Sequence, residues 1–275
     1  MNGPQIHLRP DGRLHLNHGP IDLICQAWGR EAAVRAAYAR ATRRFDGMLE
    51  ELAAELPALR SENLALHGPI ARVMACAVAP FRPAFITPMA AVAGAVAEAV
   101  LAAMVGPAIR RAYVNNGGDI ALHLAAGQSL ISAISTSPHR FTIRAEDGVR
   151  GIATSGWRGR SFSFGIADCV TVLAETASMA DAAATMIANQ VDLPGHPAIR
   201  RAAARSLQSD TDLGDRLVTV GVGALTPAEV ARALDRGAAA ANGFRSRGLI
   251  IAAALFLNSD LRISGALTLK EPEHA

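Results

Sequence analysis

Lysine is almost missing from this 275-residue chain: Lys270 is the only one, and nearly all of the positive charge is arginine. A phosphate loop that needs its lysine, or a Schiff-base lysine in a core, cannot be built from such a composition. Cysteine is nearly as scarce. Cys25, Cys76 and Cys169 are odd in number and far apart, so neither a disulfide framework nor a zinc knuckle is indicated, and a reducing, cytoplasmic setting is expected. Aromatic residues make up only 4%, which leaves alanine to pack helices closely and branched residues to supply strands. The opening MNGPQIHLRPDG has no basic region followed by an apolar stretch, so no secretion signal is expected. Residues 86–109 are apolar enough to raise the question of a membrane span. Glu98 at the middle would cost about 2.5–3.5 kcal/mol in a bilayer, and a buried helix is expected instead.

What is there fits a well-packed globular protein: 51% of the residues are apolar and 19% charged, which argues against long disorder. The formal charge is +3, yet the arginines are dispersed among acids and no basic block stands out. Neither nucleic acid nor membrane is expected as a partner, and self-association into a homo-oligomer stays open. No internal repeat interrupts residues 1–275, which read as one α+β domain with helices packed on a sheet.

Residues 13–27 read as two short strands joined at a Gly-Pro turn. Apolar positions at helical spacing from Arg30 to about Leu56, including Val34, Ala37, Tyr38, Ala41, Phe45, Met48 and Leu52, predict one long helix closed by Pro57. A shorter helix is expected over 69–79. Thr87 and Pro88 then supply an N-cap and a first-position proline for a helix through Val105. Gly94 inside that helix costs about 1 kcal/mol relative to alanine, which points to close approach of another backbone or of a ligand. Short branched segments at 111–114, 119–124, 130–135, 140–145, 150–154 and 168–174 predict a sheet. A helix from Ser178 to about Asn189 follows, then a further short helix and a strand at 216–222. Thr226, Pro227 and Glu229 spell a capping box for the last helix, with Leu225 and Val230 as its staple. Strands at 248–257 and 261–269 close the chain around Asn258-Ser259-Asp260.

Three segments are richer in small and polar residues than a plain core requires. Val114-Asn115-Asn116-Gly117-Gly118-Asp119 is a strand entering a double-glycine turn. Its amides can approach a phosphate or a ring closely, or it can be a hairpin turn that uses Asn and Gly for positive φ. Gly151-Ile152-Ala153-Thr154-Ser155-Gly156 ends a strand in hydroxyls, fit either for a phosphate or flavin edge or for an ordinary polar turn; no histidine lies at a local spacing that would make Ser155 a nucleophile. In Ser178–Thr185, Asp181 and Thr185 are four residues apart on one helical face, a spacing suited to magnesium. Ser178 and Asp181 also fit a capping box, and Thr185 can bond back to a preceding carbonyl. The eight histidines are scattered, with no metal-ligand pair on a helix; His123 lies on the strand after Asp119 with either face open to it.

Taken in order, VNNGGDIAL, GIATSG, GIADCVTVLAE and ADAAATMIAN resemble the signature segments of the ApbE superfamily, whose best-understood members are FAD:protein FMN transferases. The segment ITPMAAVAG, residues 86–94, falls where that superfamily has a turn and helix facing the nucleotide. SFSFG-IAD and RGLIIAAALFLNSDLRISGAL extend the similarity to an uncharacterised ApbE-like branch. The resemblance implies an α+β, T-fold-like architecture of antiparallel or mixed sheet layers with packed helices, and a cleft for FAD or FMN with Mg2+ near the diphosphate. Asp181 and Thr185 correspond to the metal ligands. Asn116, Gly117, Gly118 and Asp119 correspond to the glycine-rich loop, Ala153, Thr154, Ser155 and Gly156 to the turn near the flavin, and Pro88 and Met89 to the turn facing the nucleotide. Asp119, Asp168 and Ser155 are the candidate catalytic groups. The chain departs from the transferases where they carry His-x-x-Asp-Pro-x-Thr-Gly: Ser163-Phe164-Gly165-Ile166-Ala167-Asp168 has neither the His nor the Pro. Their helix-opening lysine is replaced by Ala or Val throughout Ala90–Ala93. Two expectations follow, a flavin- or nucleotide-dependent transferase-like enzyme and a non-catalytic flavin- or metabolite-binding or accessory protein that has lost FMN transfer.

Overall fold

The computed structural model describes residues 3–62, 65–134 and 139–269; Lys270, His274 and the last residue of the 130–135 segment lie outside the described residues. Strands β1 (Gln5–Leu8), β2 (Leu14–His18) and β3 (Ile21–Gly29) lead into helices α1 (Glu31–Phe45), α2 (Met48–Ala54), α3 (Leu56–Leu59), α4 (Pro69–Val78) and α5 (Val92–Met104). Strands β4 (Ile109–Asn116), β5 (Asp119–Leu124), β6 (Ser129–Ala133), β7 (Arg140–Arg144), β8 (Gly151–Ser155) and β9 (Cys169–Ala174) follow, then α6 (Ala177–Gln190). The chain continues through β10 (Ile199–Ala203), α7 (Ala204–Leu207), β11 (Leu217–Val222), α8 (Pro227–Ser246), β12 (Ala252–Leu257) and β13 (Asp260–Ser264).

Nine strands form one sheet in the order β1-β2-β3-β4-β5-β8-β9-β12-β13, and β6–β7 and β10–β11 form two separate ribbons. Every pairing among the described residues is antiparallel, which decides between the antiparallel and mixed sheets left open above. The α+β reading stands. Side-chain alternation sorts the sheet into two faces. Leu23, Val114, Ala121, Ala153, Val172 and Leu255 point to the helical side, where they pack with α1, α5, α6 and α8. Tyr113, Ile120, Ile152, Leu173 and Ala254 point the other way, onto Phe141 and Ile143 of the β6–β7 ribbon.

Several local expectations give way to backbone chemistry. The long helix after Arg30 is broken at Gly47, whose φ of 72° is left-handed, and glycine is the residue that adopts this without strain. Pro57 sits in the first turn of α3, where its missing N–H costs nothing, and so opens a helical piece where a stop was expected. Thr87 stands at the N-cap position with Pro88 in the first turn, as expected, but its hydroxyl makes no capping bond. The chain after it makes one 3-10 turn, Pro88–Ala91, before α5, and the Thr87 hydroxyl donates to the Asp212 carboxylate. The helix expected from Ser178 starts one residue earlier: Thr176 is its cap, accepting the Met179 amide at 3.3 Å. The Ser178–Asp181 box does not form, and β10 is a strand that the sequence pattern did not signal. At α8 the expected box is complete, with the Thr226 amide donating to Glu229 Oε2 at 2.8 Å and the Glu229 amide to Thr226 Oγ1 at 3.4 Å.

Alanine makes the contact between α5 and α6 close. Ala95, Ala97, Ala180, Ala182, Ala183 and Ala184 are all buried. At Gly94 a Cβ would lie 2.5 Å from the Ala177 carbonyl carbon and 2.7 Å from the Ser178 nitrogen. The expected close approach at this glycine is therefore a backbone, that of the first turn of α6.

Candidate ligand and metal site

The two helices exchange carboxylates at this contact. Asp181, in the second turn of α6, accepts the Gly94 amide at 3.0 Å, with the Ala93 amide contributing alongside. These are amides of the first turn of α5, which have no partner within their own helix. Glu98 of α5 does the same for α6, accepting the Ser178 amide at 2.7 Å and the Ser178 hydroxyl at 2.9 Å. Sequence reasoning treated Glu98 only as a charge that rules out a membrane span, because its partner is 80 residues away.

Asp119 is delivered to the same place by the β4–β5 hairpin. Asn116 pairs with Asp119 across a two-residue turn in which Gly117 and Gly118 have φ of 64° and 117°. Asn115 Oδ1 accepts the Gly118 amide at 2.8 Å, and Asn116 Nδ2 donates to the Ala93 carbonyl at 3.2 Å, tying the turn to α5. The hairpin-turn reading of this segment is therefore realised. It also aims a carboxylate at the helical side, where Asp119 Oδ1 accepts the Thr154 amide at 3.0 Å.

Asp119 and Asp181 are near enough to perturb each other, and each keeps an edge open to solvent. Burial pushes Asp119 up to about 7, against the opposing pull of the Thr154 amide and of the Arg160 guanidinium. Asp181 is held well above the usual carboxylate range, first by burial and then by the charge of Asp119; the Gly94 and Ala93 amides oppose the rise and Glu98 adds to it. Two carboxylates in one poorly solvated place repel, and a cation relieves both burial and repulsion. Neither makes an ion pair with an arginine or histidine among the described residues.

The other sequence candidates divide between this place and elsewhere. Thr185 lies one helical turn after Asp181, half-buried and without a hydrogen bond to a preceding carbonyl among the described residues. Pro88 and Met89 form the 3-10 turn that packs on α4, α5 and α6. Ala153 is buried level with Asp119, since Ile120 pairs with Ile152. The Thr154 hydroxyl turns to the opposite face of the sheet, where it meets the Thr171 hydroxyl at 3.1 Å, so only its amide is offered to Asp119. Ser155 is half-buried opposite Val170. Gly156 permits close packing: a Cβ there would sit 2.6 Å from the Asp168 carbonyl oxygen. Asp168 is not brought to the carboxylate pair. It accepts Arg158 Nε and the Asn258 amide, each at 2.7 Å, and so holds the β12–β13 turn, where Asn258 has φ of 55°. His123 shares the Asp119 face by alternation, and its Nε2 meets the Ile109 carbonyl at 3.3 Å.

Hard oxygen donors at this position fit a hard divalent cation better than a soft one. No group of three or more His, Cys, Asp or Glu side chains among the described residues is gathered to hold a metal on its own. A cation at Asp119 and Asp181 would thus draw further oxygens from Thr185, from backbone and from a ligand. Two surface grooves lie elsewhere, one of about 420 Å³ lined by Gly29, Arg30, Pro107, Ala108 and Arg110. The other, about 720 Å³, runs between the Leu193–Pro197 loop and Arg232 and Arg236 of α8. Neither touches the carboxylate pair, whose claim rests on its chemistry. No helix among the described residues is long and apolar enough to cross a membrane.

Comparison with known proteins adds three findings. UPF0280 proteins match in part: that of Methanococcoides burtonii is 40% identical over 126 residues, covering 42% of this chain and 51% of that protein. Those of Methanothermobacter thermautotrophicus and Methanopyrus kandleri are each 43% identical, over 41% and 44% of this chain and 46% and 48% of their own lengths. The chain thus spans about half the length of the curated relatives it matches. The solved apo form of the Pseudomonas stutzeri flavinyl transferase ApbE overlaps 87% of this chain and 73% of its own at 13% identity, with a TM-score of 0.35, too loose for any residue correspondence. The family profile described as AbpE bacteria matches residues 6–265, and the chain belongs to this ApbE-like family.

Proposed function

We propose that this protein binds a flavin nucleotide, FAD first and FMN or a related nucleotide diphosphate second, together with Mg2+ at Asp119, Asp181 and Thr185. The observation that carries the reading is the convergence of two carboxylates from separate elements, β5 and α6, with no arginine or histidine among the described residues ion-paired to either. Family membership supports a flavin-related role. When bound, Mg2+ supplies positive charge that neutralises the two carboxylates and the diphosphate oxygens together. Asp119 and Asp181 would hold the cation, and the open side of Gly118 lets phosphate approach. The 3-10 turn at Pro88 and Met89 closes the nucleotide side.

A second reading is binding without transfer, and a specific observation favours it. The stretch standing where transferases carry their His-x-x-Asp-Pro motif keeps only Asp168, and both oxygens of that carboxylate are engaged by Arg158 and Asn258. The test runs in two stages. Isothermal titration with FAD, with and without Mg2+, is expected to give Mg2+-dependent binding that Asp181→Ala abolishes; no binding by the wild type refutes the reading. Incubation of the loaded protein then distinguishes the two versions: release of AMP or flavin attached to a Thr or Ser supports the transferase, and bound FAD recovered intact supports the binding protein.

A further inference from the structure

The loop between β8 and β9 is fastened at both ends. On one side the Trp157 amide donates to the Ala167 carbonyl at 3.0 Å, and Arg158 pairs with Asp168 and stacks on Trp157. On the other, the Phe164 amide donates to Asn189 Oδ1 at 2.9 Å and the Thr219 amide to the Ser163 carbonyl at 2.8 Å. Arg160 sits in the exposed part between these anchors. Its guanidinium lies directly over the Cα of Gly117, so close that any side chain at that position would occupy the same space. It makes no hydrogen bond or ion pair among the described residues, although its charge reaches Asp119.

An arginine whose only task was to neutralise Asp119 would form a direct, bidentate pair with it. Arg160 stops short of that. Its five donors stay free, and it lies across a turn whose two residues have no side chains, beside two carboxylates suited to a cation. A phosphate-type oxyanion fits between such partners, because it is attracted by the cation and by the guanidinium and can approach the open side of Gly118. Resting on the reading above, we propose that Arg160 is the anion-binding residue of this site, and that it gives the site its preference for ligands bearing phosphate.

The test uses the full chain with two probes, Mg2+ alone and inorganic pyrophosphate in the presence of Mg2+. Affinities come from isothermal titration and folding from thermal melts without ligand. Wild type is expected to bind both. Arg160→Gln is expected to weaken pyrophosphate about tenfold or more, the scale of one charge-assisted hydrogen bond, with Mg2+ affinity equal to or higher than that of the wild type, because a positive charge near Asp119 is removed, and with the melting temperature unchanged. Arg160→Lys is expected to recover part of the loss. Pyrophosphate affinity that is the same in Arg160→Gln and wild type overturns the proposal, as does a wild type that binds Mg2+ but no pyrophosphate. In either case the cation site would survive. If Asp119→Asn and Asp181→Asn bind Mg2+ as well as the wild type does, the cation reading falls, and this inference falls with it.

Discussion

Replacing Gly94 by alanine is a direct perturbation of the α5–α6 contact. The added carbon would lie 2.5 Å from the Ala177 carbonyl carbon and 2.7 Å from the Ser178 nitrogen, both backbone atoms that cannot rotate away. Carbon atoms in contact sit about 3.5–4.0 Å apart, so the helices must separate by about 1 Å at their first turns. Overpacking of this kind costs about 1–3 kcal/mol, and stretching the 3.0 Å bond from the Gly94 amide to Asp181 costs about 1–2 kcal/mol more. Alanine returns about 1 kcal/mol through helix propensity. The net expectation is a loss of about 1–4 kcal/mol, or roughly 2–16 °C in melting temperature for a chain of this length. A companion substitution separates the steric effect from propensity. Gly243 lies in α8 with open space where a Cβ would go, and Gly243→Ala should stabilise by about 0.4–1 kcal/mol. Thermal melts of both variants check the pair. A Gly94→Ala protein that melts at or above the wild type would refute the account of how the two helices meet.

In the metal-free protein, Asp119 titrates near 7 in the fold against about 3.9 in the unfolded chain. A raised carboxylate favours the protonated native state, so this stability is fully present below about pH 4 and is lost as the pH rises through about 7. Melting temperature should fall from pH 5 to pH 8 in EDTA, and Asp119→Asn should flatten that slope, by on the order of 2–4 kcal/mol at the alkaline end; an unchanged slope counts against the buried pair. Glu229 is the opposite case. The Thr226 amide first, then His196 and the Thr226 hydroxyl, hold it down to about 2, so what it contributes is present above about pH 4.3 and disappears as the pH falls toward 2. Guanidinium titrations of Glu229→Gln across that window should show a wild-type advantage at pH 6 that vanishes near pH 2. Thr226→Ala removes the cap of α8 and should cost about 1 kcal/mol in the same assay.

The sequence made the sheet legible wherever strands alternate and end in turn residues, as from β4 to β9, and it made α8 legible because its box, proline and staple are local. Gly94 was also readable, since a glycine inside an otherwise alanine-rich helix asks for a neighbour. Legibility ended where a partner is distant. Thr87 looks like a cap but serves Asp212, and Asp181 looks like a capping acid for its own helix but serves α5. Glu98 does the converse for α6. Arg160 carried no signal, because its importance comes from Gly117, 43 positions earlier, and no spacing rule links a loop arginine to a hairpin turn. Gly47 was passed over inside a periodic run, since helical periodicity continues across a break that preserves the buried face.

The most direct test of the central claim is the heat of FAD binding measured with 5 to 10 times as much Mg2+ as protein, repeated in EDTA and with Asp119→Asn and Asp181→Asn. The account predicts binding by the wild type that requires Mg2+ and is weakened about tenfold or more in either variant, consistent with the loss of a charged contact. FAD that binds equally well in EDTA, or equally well to both variants, would contradict it.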